Sequence, residues 1–164
     1  MVRRSLFFLC AAMAVLAGSV GTASAAPTTS YTSVVVPSPY PWEAPITVDV
    51  TGSRVLESIN QGPQIAKLAV NVAPTTTDPI YSQPWRLLDY GTHTEIRWHN
   101  TTTGASGTAF SDERRGYPQG GATIGTGLGW VEYTVIATVG VFIPQINPQT
   151  ITVTSAVEIN DQPF

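Results

Sequence analysis

The titratable residues of this chain crowd into one stretch. His93, Glu95, Arg97 and His99 alternate with other residues between Asp89 and Asn100. At a period of two they share one face of a strand, whose other face carries Ile96 and Trp98. Side chains two apart on such a face stand about 7 Å apart. His93, Glu95 and His99 are therefore the candidates for metal ligation. A histidine beside a carboxylate is also the pairing of an oriented general base. A structural zinc takes four ligands, however, and a catalytic one takes three. Two histidines are too few obvious ligands. The wet face of a half-exposed strand, with Glu95 and Arg97 as a surface pair, explains the same residues. Neither a metal nor a cofactor is expected.

Other chemistry is thinner. Gly104-Ala105-Ser106-Gly107-Thr108 approaches a nucleophile elbow, but its second glycine falls one place early. It also sits in a hairpin, where an elbow needs a strand-to-helix turn. Ser106 is read as a turn or strand residue, and no catalytic residue is assigned. Asp112-Glu113-Arg114-Arg115 is a compact charge knot. Paired carboxylates cleave glycosides only from opposite sides of a cleft. A solvated loop is the plain reading, with Arg114 and Arg115 as partner contacts the sharper one. Residues 116–129 are rich in glycine, but no lysine and no helix follows as a phosphate-cradling loop requires. Asn100-Thr101-Thr102 is a formal glycosylation sequon that coincides with a turn.

Aromatic residues are the remaining handle. Trp42, Tyr81, Trp85 and Trp130 fall in loops or on polar strand faces, where aromatics grip partners or stack on sugars. With Arg114 and Arg115 they form the expected partner-binding set. Capping the open ends of the fold is the competing role.

The elements that position these residues are strands. Residues 46–50, 65–72, 94–100, 130–141 and 150–159 alternate apolar and polar residues. Residues 55–59 and 105–110 read as shorter strands, with Thr51-Gly52-Ser53 as a turn and 111–129 as a polar loop. Valine, isoleucine, threonine and aromatics dominate them, as β-structure favours. No helical stripe is found in 46–164. The expected fold is all-β: an immunoglobulin-like antiparallel β-sandwich of about seven or eight strands. A membrane β-barrel fits poorly, because most strands are short for a crossing and the positions alternating before Phe164 are polar.

Three segments follow. Residues 1–25 read as a signal peptide, with Arg3 and Arg4, an apolar run from Leu6 to Ala17, and Ala23-Ser24-Ala25 at the cut, near Ala25 or Ala26. Residues 26–45 are a Pro-rich extended lead-in, either a solvated linker or a docked edge segment. Residues 46–164 are the sandwich. Removing 25 of the 164 residues leaves 139. Cys10 leaves with the leader, so no disulfide is available. Loss of Arg3 and Arg4 moves the formal charge from −3 to −5. That argues against nucleic acid as a partner. No second apolar run reaches spanning length, so no transmembrane anchor is expected in the mature chain.

The stretch Trp98-His99-Asn100-Thr101-Thr102-Thr103-Gly104-Ala105-Ser106-Gly107-Thr108 resembles a Trp-x-Asn-x-Thr-Thr-Gly-x-Ser-Gly pattern of small secreted proteins of actinobacteria. Their Gly-rich tract followed by a Val/Thr strand is similar to Gly125 to Val139 here. The resemblance implies a small secreted β-domain of unknown role from an actinobacterial host, and carries no catalytic residues. The expected function is an exported, non-catalytic domain that binds a partner at the cell envelope or outside the cell. A carrier of a small apolar or sugar ligand between the sheets comes second, and a small secreted hydrolase third.

Overall fold

A computed structural model describes residues 27–58, 64–75, 89–115 and 117–161. The signal-peptide reading, with Cys10, lies outside the described residues. Eight strands form: β1 (Thr29–Val36), β2 (Ile46–Ser58), β3 (Gln64–Pro74), β4 (Tyr90–Asn100), β5 (Ser106–Arg115), β6 (Gly120–Ile124), β7 (Gly129–Val141) and β8 (Gln149–Ile159). They make two four-stranded antiparallel sheets, ordered β1-β2-β3-β6 and β5-β4-β7-β8. The chain is a β-sandwich, the class its alternation implies. The strand order, which the alternation leaves open, makes β1, β2 and β3 a meander before the chain crosses to the second sheet.

Alternation explains the core. β2 buries Ile46, Val48 and Val50, and β3 buries Leu68, Val70 and Val72. The facing sheet supplies Ile96, Val131, Val135, Val139, Ile151 and Val157. Each strand gives one face to the interior and one to solvent, as a two-sheet packing requires. The sheet edges also meet. The Glu158 amide donates to the Pro27 carbonyl at 2.9 Å, and the Gly121 amide donates to Ser111 Oγ on β5 at 2.9 Å.

Three local readings change, and one left open is decided. Thr51-Gly52-Ser53 is not a turn but the middle of β2. Gly52 keeps the inward parity, and the Tyr133 ring from the other sheet fills the space a side chain would take. Thr29–Val36 of the lead-in is an edge strand paired with β2 from Thr29↔Ser53 to Val36↔Ile46. β5 runs through the charge knot to Arg115, so Asp112 and Glu113 stand on a strand rather than in a loop. The Gly-rich segment contains β6, which pairs with β3 from Leu68↔Ile124 to Val72↔Gly120. In the last two cases edge position permits polar or missing side chains that the apolar pattern cannot reveal.

The sandwich has two distinct ends. The β1–β2 and β7–β8 connections, residues 37–45 and 142–148, share one end. Thr75 and Asp89, which bound the β3–β4 connection, lie at that end too. The β4–β5 turn and residues 125–128 lie at the other.

Candidate functional site

The end formed by residues 37–45 and 142–148 gathers aromatic side chains around a buried tyrosine. Tyr40 is fully enclosed, and its hydroxyl donates to the Asp89 carbonyl at 2.8 Å. The Phe142 amide donates to the same carbonyl at 2.9 Å, so both connections anchor on one acceptor. The Tyr40 ring meets Tyr90 edge-on at 5.3 Å, Phe142 edge-on at 6.4 Å and Trp42 tilted at 5.6 Å. Edge-to-face geometry at these distances is attractive beyond simple burial.

Polar groups lock the arrangement from beneath. The Tyr90 hydroxyl donates to the Glu43 carboxylate, and Ser38 Oγ donates to the same oxygen at 2.9 Å. The Tyr40 amide donates to Ser38 Oγ at 3.1 Å. Asn147 Nδ2 donates to the Pro39 carbonyl and ties the two connections together. Glu43, the one charged residue of these two connections, thus turns inward onto a buried tyrosine.

Beside the exposed Gln145 and Asn147, the outside of these connections carries large apolar side chains. Trp42 is 72% exposed, Phe142 is exposed on the same Tyr40 ring, and Ile143 and Ile146 of the β7–β8 connection are exposed too. Phe142 holds a positive φ of 60°. For a bulky residue that is a strained conformation, of the kind that gathers at working sites. The turn is closed by Val141 N–H to the Ile146 carbonyl at 2.9 Å. On one side, Phe142, Ile143 and Pro144 wall a cleft opposite Asp112 and Glu113 of β5.

The titratable stretch is arranged differently. His93 Nδ1 lies 2.6 Å from Asp112 Oδ1, its cross-strand neighbour, and the ring stacks on Phe110 at 5.9 Å. Glu95 instead accepts from Arg97 Nε at 2.6 Å, which raises the Arg97 pKa above its ordinary value. His99 is six residues from His93 along β4, roughly 20 Å at strand rise. The candidates His93, Glu95 and His99 therefore do not converge. Among the described residues, no three His, Cys, Asp or Glu side chains gather to hold a metal.

Register does set Ser106, His99 and Glu132 in one row across β5, β4 and β7. All three are exposed on an open sheet face, and no hydrogen bond joins them. This is a surface row, without the linked nucleophile and base of a triad.

The partner-binding set is divided. Trp42 belongs to the apolar end. Trp130 is half-buried at the opposite end, where its amide donates to Thr102 Oγ1 at 3.0 Å. Tyr81 and Trp85 lie outside the described residues, as do the side chains of Arg114 and Arg115.

Several groups were not singled out by sequence. Phe142, Ile143 and Ile146 carried a signal: three large apolar residues between Val141 and Pro148, with no charge among them. Arg54 is buried between the sheets, where Nη1 donates to Oδ1 of Asn160 at 2.9 Å and to its carbonyl at 3.2 Å. Asp49 sits on the outer face of the first sheet. Burial favours raising its pKa, but hydrogen bonds from Ser33, Tyr31 and Thr75 prevail and lower it.

Comparison with protein-family models, curated proteins and solved structures returns no match to this chain. The functional reading therefore rests on the geometry of the molecule. Among the described residues, no helix is long and apolar enough to cross a membrane.

Proposed function

We propose that the chain is an exported, non-catalytic β-sandwich domain that binds a component of the cell envelope or its surroundings through the Trp42 end. One observation carries the reading. Trp42 is held 72% exposed on a buried, hydrogen-bonded tyrosine base, with Phe142, Ile143 and Ile146 exposed alongside. Single exposed apolar residues need no explanation, but several gathered at one end of a sandwich on a rigid support favour a contact surface. Rigid aromatic anchors lose little entropy on binding. The leader-like residues 1–25 support export, and the scattered titratable groups give a catalytic role no centre.

The carrier reading would need room between the sheets. There Leu68, Ile96, Val131, Val135 and Ile151 are closed off from solvent in one cluster. The external surface is favoured over the interior on that packing.

The test uses residues 26–164, which include all eight strands, and a detergent-free bacterial envelope fraction. Co-sedimentation is expected for the unaltered chain and for Phe110→Ser, which changes an exposed aromatic on the outer sheet face. Trp42→Ser should lose most of it. Equal sedimentation of the Trp42 and Phe110 variants overturns the proposal.

A further inference from the structure

We infer that the occupant of the Trp42 end is the surface of a lipid bilayer with neutral or zwitterionic headgroups. This rests on the reading of that end as the contact surface, and adds what it contacts.

Size is the first argument. Four exposed side chains of this kind present on the order of a few hundred Å². A stable protein interface buries roughly 800 Å² on each partner. Among the described residues, the patch is small for a lasting protein interface or a second copy of this chain. It is adequate for shallow, reversible insertion, which needs only a few apolar side chains below the headgroups.

Side-chain chemistry is the second. Tryptophan sits preferentially at the boundary between headgroups and hydrocarbon, where its ring is apolar and its N–H can meet water. Phenylalanine and isoleucine suit the layer beneath. The end offers Trp42 from one connection, and Phe142, Ile143 and Ile146 from the other. Insertion would also need the backbone of the tip to keep its own hydrogen bonds. Here the Val141 and Ile146 amides bond carbonyls within the β7–β8 turn, and the Phe142 amide bonds Asp89.

Charge is the third. The two connections contain sixteen residues and one charged side chain, Glu43, which is turned onto Tyr90 and Ser38. A charge at the tip would have to be desolvated on insertion, and this one is already withdrawn. Carboxylate residues stand close by: Asp89, whose carbonyl holds both connections, and Asp112 and Glu113, which border the cleft beside the β7–β8 connection. With the net acidity of the chain, they oppose an anionic surface and suit zwitterionic headgroups.

The experiment is vesicle co-sedimentation of residues 26–164, so that the apolar leader does not itself partition. Phosphatidylcholine vesicles are compared with vesicles containing one-third phosphatidylglycerol. Binding to the neutral vesicles is expected, with a blue shift of tryptophan emission. Trp42→Ser and Ile143→Ser should each weaken it about tenfold, as removal of one inserted apolar side chain implies. Phe110→Ser should leave it unchanged. Unaltered circular dichroism spectra establish that the variants fold. Stronger binding to the anionic vesicles overturns the inference. So does absence of vesicle binding when the envelope fraction still binds in a Trp42-dependent way, which keeps the contact surface and makes its partner a protein or glycan. Loss of Trp42 dependence in both assays overturns both readings.

Discussion

Gly91 and Gly140 stand directly opposite each other on β4 and β7, and the backbone of Ile143 lies against both. A Cβ on Gly91 would overlap the Ile143 backbone, and one on Gly140 would overlap its carbonyl. The paired glycines are thus the seat on which the β7–β8 connection rests. That seat is what turns Phe142 and Ile143 toward the end of the sandwich.

The seat predicts a sharp steric response. Gly91→Ala should destabilise the fold by about 1–3 kcal/mol, the usual cost of forcing a methyl group into filled space. Urea unfolding measures it. The same substitution should reduce binding at the Trp42 end, because the connection must lift to make room. A variant as stable as the parent, with binding intact, would show that the connection does not depend on this seat.

How much of this was legible in the sequence varies from residue to residue. The alternation from Trp130 to Val141 and from Thr150 to Ile159 specified two strands and their inward faces. The start of β4 was hidden because its inward positions are Thr92 and Thr94, which read as polar. β6 was hidden because two of its five residues are glycine. Trp42 was visible as a loop aromatic. Its setting was not, since Tyr40 meets Tyr90 across fifty residues, and Glu43 finds its partner only once β4 is in place. Local periodicity reports which face a residue takes. It says nothing of which loops meet at an end.

The sequon supplies a second prediction. Asn100 is fully buried, and Nδ2 donates to the carbonyls of Thr126 and Leu128, each at 3.0 Å. Oδ1 accepts from the Thr102 and Thr103 amides at 3.0 and 3.1 Å. Asn100 therefore joins the β4–β5 turn to residues 126–128. A glycan on Nδ2 is incompatible with these bonds. Secreted from a glycosylating host, the folded product should carry no sugar at Asn100 by mass spectrometry. Asn100→Asp removes the donor and faces a carboxylate with two carbonyls, which should cost on the order of 3 kcal/mol. A folded, glycosylated product would refute the assignment.

The two sheets are linked by a second close approach. The Tyr133 hydroxyl hydrogen-bonds Ser30 Oγ on β1, and its ring occupies the space over Gly52. Tyr133→Phe removes the hydroxyl and keeps the ring. It should cost about 1 kcal/mol, the typical net worth of one hydrogen bond. Gly52→Ala should cost more, about 1–3 kcal/mol, because the methyl group meets ring carbons as well as the hydroxyl. Combining Gly52→Ala with Tyr133→Phe should relieve only part of the clash. Thermal or urea unfolding of the three variants checks the order, and full recovery in the double variant would contradict the packing described.

Asp49 gives a prediction with a defined pH direction. Ser33 donates to its carboxylate, and Thr75 Oγ1 donates to Oδ1 at 2.8 Å. Burial works to raise its pKa, but the hydrogen bonds outweigh it and hold it below the ordinary carboxylate value. A carboxyl whose folded pKa lies below its unfolded one stabilises the fold in its ionised form. That contribution is fully present well above an unfolded pKa of about 3.9. It shrinks as pH falls toward and through the folded value. Asp49→Asn should therefore be less stable than the parent at pH 7, and the gap should narrow below about pH 4. Urea unfolding of both proteins across this range reads the gap directly. A gap of the same size at every pH would assign the effect to hydrogen-bond geometry instead of to the charge, since protonation would then leave it untouched.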